Sequence, residues 1–162
     1  MDQPVISKTI GQVTELTCIA PIIPGKADAL REAFTQISLS PENPLKKIST
    51  IHFARWVIFD NDTRLLFTSN FDGGWEDYLR DFATLDAEGL DFIFQYCVGY
   101  PGAQPFEPFM EYVRTHQVET TFFYPAYPNA SVKQIFLALD WKAKTDNYMR
   151  ELQKPPSPNV GQ

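Results

Sequence analysis

KISTIHFARWVIF (residues 47–59), DNDT (60–63) and RLLFTSNF (64–71) are the consecutive segments that decide the fold. The first and third are rich in β-branched and aromatic residues, which favour strands, and the polar second segment is typical of a turn. The stretch therefore predicts two antiparallel strands joined as a hairpin.

A two-residue loop at Asn61-Asp62 sets the pairing of this hairpin. Phe53 then opposes Asn70 and Arg55 opposes Thr68 on one face, because alternate residues of a strand share a face. The other face carries Trp56 opposite Phe67, and His52 opposite Phe71. Since this second face is the more apolar, we expect it to pack against helices and the first face to look outward.

The remaining periodicities extend the hairpin to a full domain. Strands are predicted at 13–20 and 119–126, and helices at 26–37, 72–82, 87–97, 108–116 and from 131. The reduced order βαββαβ predicts an α+β, ferredoxin-like fold with a four-stranded antiparallel sheet, extra helices, and helices on one face. We expect one domain over 12–153, an N-terminal lead-in at 1–11 and a flexible tail at 154–162.

Composition and charge narrow the function classes. The chain has 162 residues, 44% of them hydrophobic, and a formal net charge of −6. These values indicate a folded protein and disfavour nucleic acids and anionic membranes as partners. Neither a leader peptide nor an apolar run long enough to span a bilayer is evident, so a cytoplasmic location is expected. The two cysteines, Cys18 and Cys97, are interpreted as buried free thiols, and no metal site is expected.

Three segments resemble a bacterial family of small proteins in the dimeric α+β barrel superfamily: 52–56 (HFARW), 66–75 (LFTSNFDGGW), and 124–128 (YPAYP) with Ser131-Val132. The resemblance extends over residues 12–145 and implies a dimeric barrel fold, but no particular reaction. Relatives by fold include cofactor-free monooxygenases, haem-binding dye-decolourising peroxidases and chlorite dismutases. No haem ligand of those proteins can be matched here, so no cofactor is expected, and haem stays open.

The long predicted strand also indicates an assembly. It is apolar on both faces, whereas a strand with one wet face alternates more regularly. The outward face is therefore expected to be buried, and the resemblance implies that a second copy buries it in a homodimer.

A set of polar and aromatic residues on the outward face is a candidate ligand site. Arg55, Thr68 and Asn70 are donors suited to a carboxylate or carbonyl, and they lie beside Phe53. An arginine among apolar side chains needs an acceptor, which is a ligand or, alternatively, Glu15 or an acid of the partner subunit. Tyr124, next to a proline, either lines the mouth of such a cavity or merely packs.

Catalytic residues are not identified by any motif, and His52 and Arg55 are the candidates. His52 is either a general base or a core histidine beside Phe71. His116 is interpreted as structural at a helix C-terminus, and Asp72 as a helix cap with Arg55 as an alternative partner.

Two classes of function stay open at this stage. The first is a binding protein or an oxidative enzyme, that is, an oxidoreductase, for a small, largely apolar or carboxylate-bearing molecule held in the barrel or under the helices. The second is a non-catalytic dimeric interaction module or accessory subunit. Whether the chain is an enzyme is left undecided.

Overall fold

A computed structural model describes residues 7–154 of the chain. Its hairpin consists of β3 (Ile51–Phe59) and β4 (Arg64–Asp72), preceded by β1 (Thr9–Ile10) and β2 (Val13–Pro21). The helices are α1 (Ala27–Leu39), α2 (Trp75–Leu85), α3 (Ala87–Phe94), α4 (Phe106–His116) and α5 (Val132–Leu152), with a short 3₁₀ helix at Pro44–Lys47. Of the predicted tail at 154–162, residues 155–162 lie outside the described residues, as do residues 1–6 of the predicted lead-in.

The four strands form one antiparallel sheet in the order β1-β2-β4-β3. The predicted α+β class and four-stranded antiparallel sheet are confirmed. The predicted register is also confirmed from Phe53 to Phe59, where Arg55 pairs with Thr68 and Trp56 with Phe67. The register holds because any one-residue slip would turn the whole apolar set of β3 away from the core.

The predicted fourth strand at 119–126 is wrong. Between residues 117 and 154 the chain makes a single bridge to the sheet, between Gln117 and Cys18, and Val118 N–H donates to the carbonyl of Thr17. β1 supplies the edge of the sheet instead. The proline at 125 and the following turn residues leave this segment without a continuous ladder, since proline lacks the N–H that a ladder needs.

The core lies between one face of the sheet, here called the inner face, and helices α1 to α4. Leu16 and Cys18 of β2, Leu65, Phe67 and Phe71 of β4, and Tyr78 and Phe82 of α2 are all buried there. Cys18 and Cys97 are both buried and free, as predicted. The apolar face of each helix meets the apolar alternate residues of the strands, which is the packing that amphipathic elements require.

The chain divides into two compact units, one ending at Val132 and the other beginning at Lys133. The second unit contains α5, and the single domain over 12–153 stays a prediction. No helix within 7–154 combines the length and apolarity that crossing a membrane requires. The homodimer, the cytoplasmic location and the absence of nucleic-acid partners also stay predictions.

Candidate functional site

The outer face of the sheet, opposite the helices, brings together four of the sequence-predicted residues. Phe53 pairs with Asn70, and Arg55 pairs with Thr68, so the four form two adjacent cross-strand pairs. On the other side of β4, Asn70 pairs with Glu15 and Thr68 with Thr17. Phe53 is 75% exposed, an unusual state for a phenylalanine on a sheet, and Val57 on the same face is also exposed.

The Arg55 side chain is exposed in the single chain, and its burial under a second copy or a ligand stays a prediction. It forms no hydrogen bond or ion pair with the chain between residues 7 and 154. The expected ion pairs with Glu15 and, as an alternative, Asp72 are therefore wrong. The guanidinium remains charged in water and has its donors available to a ligand or to a partner subunit.

His52 lies on the outer face, not on the inner face opposite Phe71 as predicted. A β-bulge between Ile51 and Phe53 pairs Ile51 with Phe71 and shifts the register at this end of β3. His52 Nε2 then lies 2.7 Å from Asp72 Oδ1, and the two side chains are only 10% and 16% exposed. A bulge inserts one unpaired residue, and this insertion directs His52 toward Asp72.

Asp72 is not the cap of α2, which begins after Gly74 without a side-chain cap. Its Oδ2 instead accepts a hydrogen bond of 2.8 Å from the backbone N–H of Val132. Both carboxylate oxygens are thus engaged, one by the imidazole and one by a backbone donor. Sequence reasoning missed this role because a carboxylate before two glycines matches a capping pattern just as well.

Glu15 is a buried carboxylate at the edge of the outer face, only 4% exposed. It accepts hydrogen bonds from the backbone N–H of Lys8 (3.0 Å), Thr120 Oγ1 (2.6 Å) and Thr17 Oγ1 (3.4 Å). These donors satisfy the charge that burial would otherwise destabilise. Glu15 therefore fastens the segment after α4 to the sheet. Alternation of β2 placed Glu15 on this face, but its burial could not be read from the sequence.

Tyr124 lies on this segment, which we call the strap and define as residues 117–131. The strap is held near its start by Thr17 and Glu15, and at its end by Gln12, whose N–H donates to Pro128 at 2.7 Å. Tyr124 is exposed and forms no hydrogen bond or ring contact with the described residues. Its place in a ligand site with Arg55 stays a prediction.

Two cavities lie between the inner face and the helices, and both are small. One of about 30 Å³ lies beside Cys18, Phe67 and Tyr112, and one of about 50 Å³ lies beside Trp56 and Phe94. Small-molecule sites usually measure about 300–1,000 Å³. Both cavities are far smaller than such sites, and the predicted ligand site under the helices is not supported.

His116 lines the first cavity and has a structural role, as predicted. Its ring lies 4.2 Å from that of Tyr112, and its Nδ1 is 2.8 Å from the Tyr112 carbonyl oxygen. Nearby, burial first and the charge of Glu15 second raise the pKa of Cys18 to about 12. Cys18 thus belongs to the core, whereas His116, of intermediate exposure, packs against Tyr112.

An open, polar cleft of about 420 Å³ lies at the N-terminus of α2. Thr14, which donates to the carbonyl of Gly73 at 2.6 Å, and the ring of Trp75 under the Arg114 guanidinium form part of its wall. Glu76 and Asp77 place two negative charges at its rim. Within residues 7–154, no three His, Cys, Asp or Glu side chains are grouped to bind a metal ion.

Comparison with known proteins identifies no family for this chain. No protein-family model and no curated protein matches the chain. Among solved structures, tetracenomycin F2 cyclase from Streptomyces glaucescens, a type II polyketide cyclase, is similar to it at 16% identity, over 69% of this chain and 97% of that one, with a TM-score of 0.45. At that level the similarity carries no argument about function.

Proposed function

We propose that the outer face binds a small, largely apolar molecule that carries a carboxylate or carbonyl oxygen, and that a second copy of the chain closes the site. The observation that carries the proposal is the state of Arg55, a charged side chain that the described chain leaves without an ion-pair or hydrogen-bond partner. An arginine in that state is available for bidentate binding of a carboxylate.

The neighbours of Arg55 support the same ligand chemistry. Thr68 is its cross-strand partner, and the adjacent pair combines the amide of Asn70 with the ring of Phe53. Neither the Asn70 amide nor the Thr68 hydroxyl makes a side-chain hydrogen bond within residues 7–154. An exposed aromatic ring beside open donors suits a molecule with an apolar body and an oxygen at its edge.

The exposure of the same face supports a homodimer. When a second copy covers the apolar side chains on the open side of a sheet, the free energy falls, because apolar surface is removed from water. Covering the face would also exclude water from Arg55 and strengthen its interaction with a bound anion. An oxidative reaction on such a ligand stays a prediction from the resemblance.

Titration with 1-naphthoate, followed by calorimetry, tests the proposal. The full-length protein should bind this aromatic carboxylate, and Arg55→Met should weaken binding by about tenfold or more, equivalent to at least about 1.4 kcal/mol. Arg64→Met is the matched control, because Arg64 belongs to β4 but is already paired with Asp60 and lies over Phe59. The control should change the affinity by less than about twofold.

Equal binding by wild type and Arg55→Met would contradict the proposal, as would no binding at all. Sedimentation of the same samples tests the second copy separately. If the protein is a monomer and still binds naphthoate, the ligand site is supported and the homodimer is contradicted.

The second candidate function, a non-catalytic interaction module, is favoured by α5. This 21-residue helix exposes several large apolar side chains, namely Phe136, Leu137, Leu139, Trp141, Tyr148, Met149 and Leu152. Exposed apolar surface of this kind marks protein interfaces. If copies of the chain associate through α5 and not through the outer face, Trp141→Asp should abolish self-association and leave 1-naphthoate binding unchanged. Sedimentation measures the association state.

A further inference from the structure

We propose that His52 is the base that removes a proton from the molecule bound on the outer face, and that Asp72 is the residue that positions it. This inference rests on the proposed function, since it concerns the chemistry of the same site. It is carried by the β-bulge, the 2.7 Å contact between the two side chains and their place beside Asn70.

The bulge is the feature that makes the pair possible. With a regular register, His52 would point into the core opposite Phe71. The extra residue places His52 on the side of Asp72, at the end of the row formed by Thr68 and Asn70 on β4. Bulges are frequent next to active sites, where they redirect a side chain.

The contacts of Asp72 determine which imidazole nitrogen is the base. A carboxylate only accepts hydrogen bonds, so Nε2 of His52 must carry the proton that it shares with Asp72 Oδ1. The lone pair of the neutral ring then lies on Nδ1. The Val132 N–H donates to Asp72 Oδ2 at 2.8 Å and thereby holds the carboxylate in place.

Nδ1 of His52, whose side chain is 10% exposed, is left for a ligand by the described chain. This nitrogen forms no hydrogen bond with the described chain. It also keeps some contact with solvent, since it is absent from the fully buried side-chain atoms that lack a partner. The other carboxylate of this face, Glu15, is a poor alternative base, because Lys8, Thr17 and Thr120 donate to it and it is only 4% exposed.

The spacing of the row defines the size of the substrate. Asp72, Asn70 and Thr68 follow one another at every second residue of β4, about 6.6 Å apart, so the row from Asp72 to Thr68 measures about 13 Å. That length fits two or three fused rings. A ligand whose carboxylate is bound by Arg55, opposite Thr68, would extend along Asn70 to His52.

The reaction class that fits is proton transfer at a carbon next to a carbonyl group. The C–H bond breaks, its proton joins Nδ1, and its electron pair moves to the carbonyl oxygen as an enolate. The Asn70 amide is placed to donate to that oxygen. The imidazolium, stabilised by Asp72, then returns the proton to another atom of the same molecule. The outcome is an isomerisation that balances without an oxidant or another reactant.

Elimination of 5-nitrobenzisoxazole tests the base without knowledge of the natural substrate. A base removes its ring C–H proton, the N–O bond breaks, and the coloured 2-cyano-4-nitrophenolate forms. Wild type should accelerate this reaction beyond free imidazole at the same concentration. His52→Gln, whose amide can still donate to Asp72, should lower the rate about 100-fold while 1-naphthoate binding is retained. His116→Gln is the control and should leave the rate within about twofold.

Asp72→Asn tests the positioning role. Its amide would donate to Nε2 and force the proton onto Nδ1, which removes the base without removing the imidazole. We expect a large loss in kcat with little change in KM, and a ¹⁵N spectrum of the imidazole that shows the proton moved from Nε2 to Nδ1. A spectrum unchanged from wild type would overturn this role of Asp72.

The outcomes separate this inference from the proposed function. Naphthoate binding without elimination, or full elimination by His52→Gln, overturns the inference and leaves the binding site standing. Absence of naphthoate binding contradicts both the binding site and the role of His52.

Diethyl pyrocarbonate labelling tests the wild-type protein and so does not depend on a variant that folds. His52 should react faster than His116, and naphthoate should slow the labelling of His52. Equal or slower labelling of His52 would also count against the inference.

Discussion

The two faces of the sheet are made by the same strands and yet differ in almost every physical respect. On the inner face, Phe71 is fully buried and its ring stacks on that of Tyr78 at 3.6 Å. On the outer face, Phe53 is 75% exposed and lies beside Thr68 and Asn70 of β4, whose side chains form no hydrogen bond within residues 7–154. Even the inner-face hydroxyl of Ser69 is engaged, with Tyr78 Oη at 2.5 Å.

This contrast separates stability from binding along one strand pair. Neighbouring residues point to opposite sides, so one residue contributes to the core while the next is available to a ligand. Substitutions on the inner face should therefore change the free energy of unfolding, and those on the outer face should change binding with little effect on stability.

The largest effect is expected from a matched pair of phenylalanines. Phe71→Ala should lower the free energy of unfolding by about 3–5 kcal/mol, because it removes a fully buried ring and leaves a cavity. Phe53→Ala should change it by less than about 0.5 kcal/mol. Urea denaturation measures both. Similar losses for the two variants would show that the outer face is also a packed core, for example across a dimer.

The next largest effect on stability is expected where the strap contacts Glu15 at the edge of the outer face. Thr120→Val removes the 2.6 Å hydrogen bond to the buried Glu15 carboxylate and should cost about 1.5–3 kcal/mol, the range for bonds to charged groups. Thr121→Val, at the exposed next position, is the control and should be nearly neutral. Hydrogen exchange should also show faster exchange at the Val118 amide in Thr120→Val alone. Unchanged protection there would mean that Glu15 does not hold the strap.

A smaller effect, dependent on pH, belongs to the inner face. Because burial raises the pKa of Cys18 to about 12, the folded thiol stays neutral where the unfolded thiol ionises. The sign follows: stability is unaffected below the ordinary thiol pKa and falls as the pH rises above it, by about 1 kcal/mol at a pH of about 9.5. Cys18→Ala should show a shallower decline between about pH 8 and 9.5 than wild type. Equal slopes would mean that the thiol ionises normally in the fold.

Part of the site was predictable because it depends on the alternation of apolar residues within two short segments. The apolar alternation of residues 53–59 and 64–70 is strong enough to specify the register, and with it the grouping of Phe53, Arg55, Thr68 and Asn70. The assignment of the more apolar face to the helices is confirmed by the burial of Phe67 and Leu65.

The errors in the prediction have physical causes of their own. His52 was assigned to the wrong face because a bulge leaves no mark in the alternation of a single strand. The strap was predicted as a strand because Phe122, Phe123 and Tyr124 favour strands, although whether a segment pairs depends on a free neighbouring edge. Here β1 occupies that edge.

By itself, the sequence determined the α+β class, the hairpin with its register over residues 53–59, and the buried state of both cysteines, because each follows from hydrophobic periodicity within a few residues. Only the tertiary structure decided that His52 meets Asp72, that Glu15 is buried under Thr120, and that Arg55 remains exposed. These contacts join residues 20 to 105 positions apart. They depend on where strands bend and which segment covers which edge, and no short-range pattern encodes that.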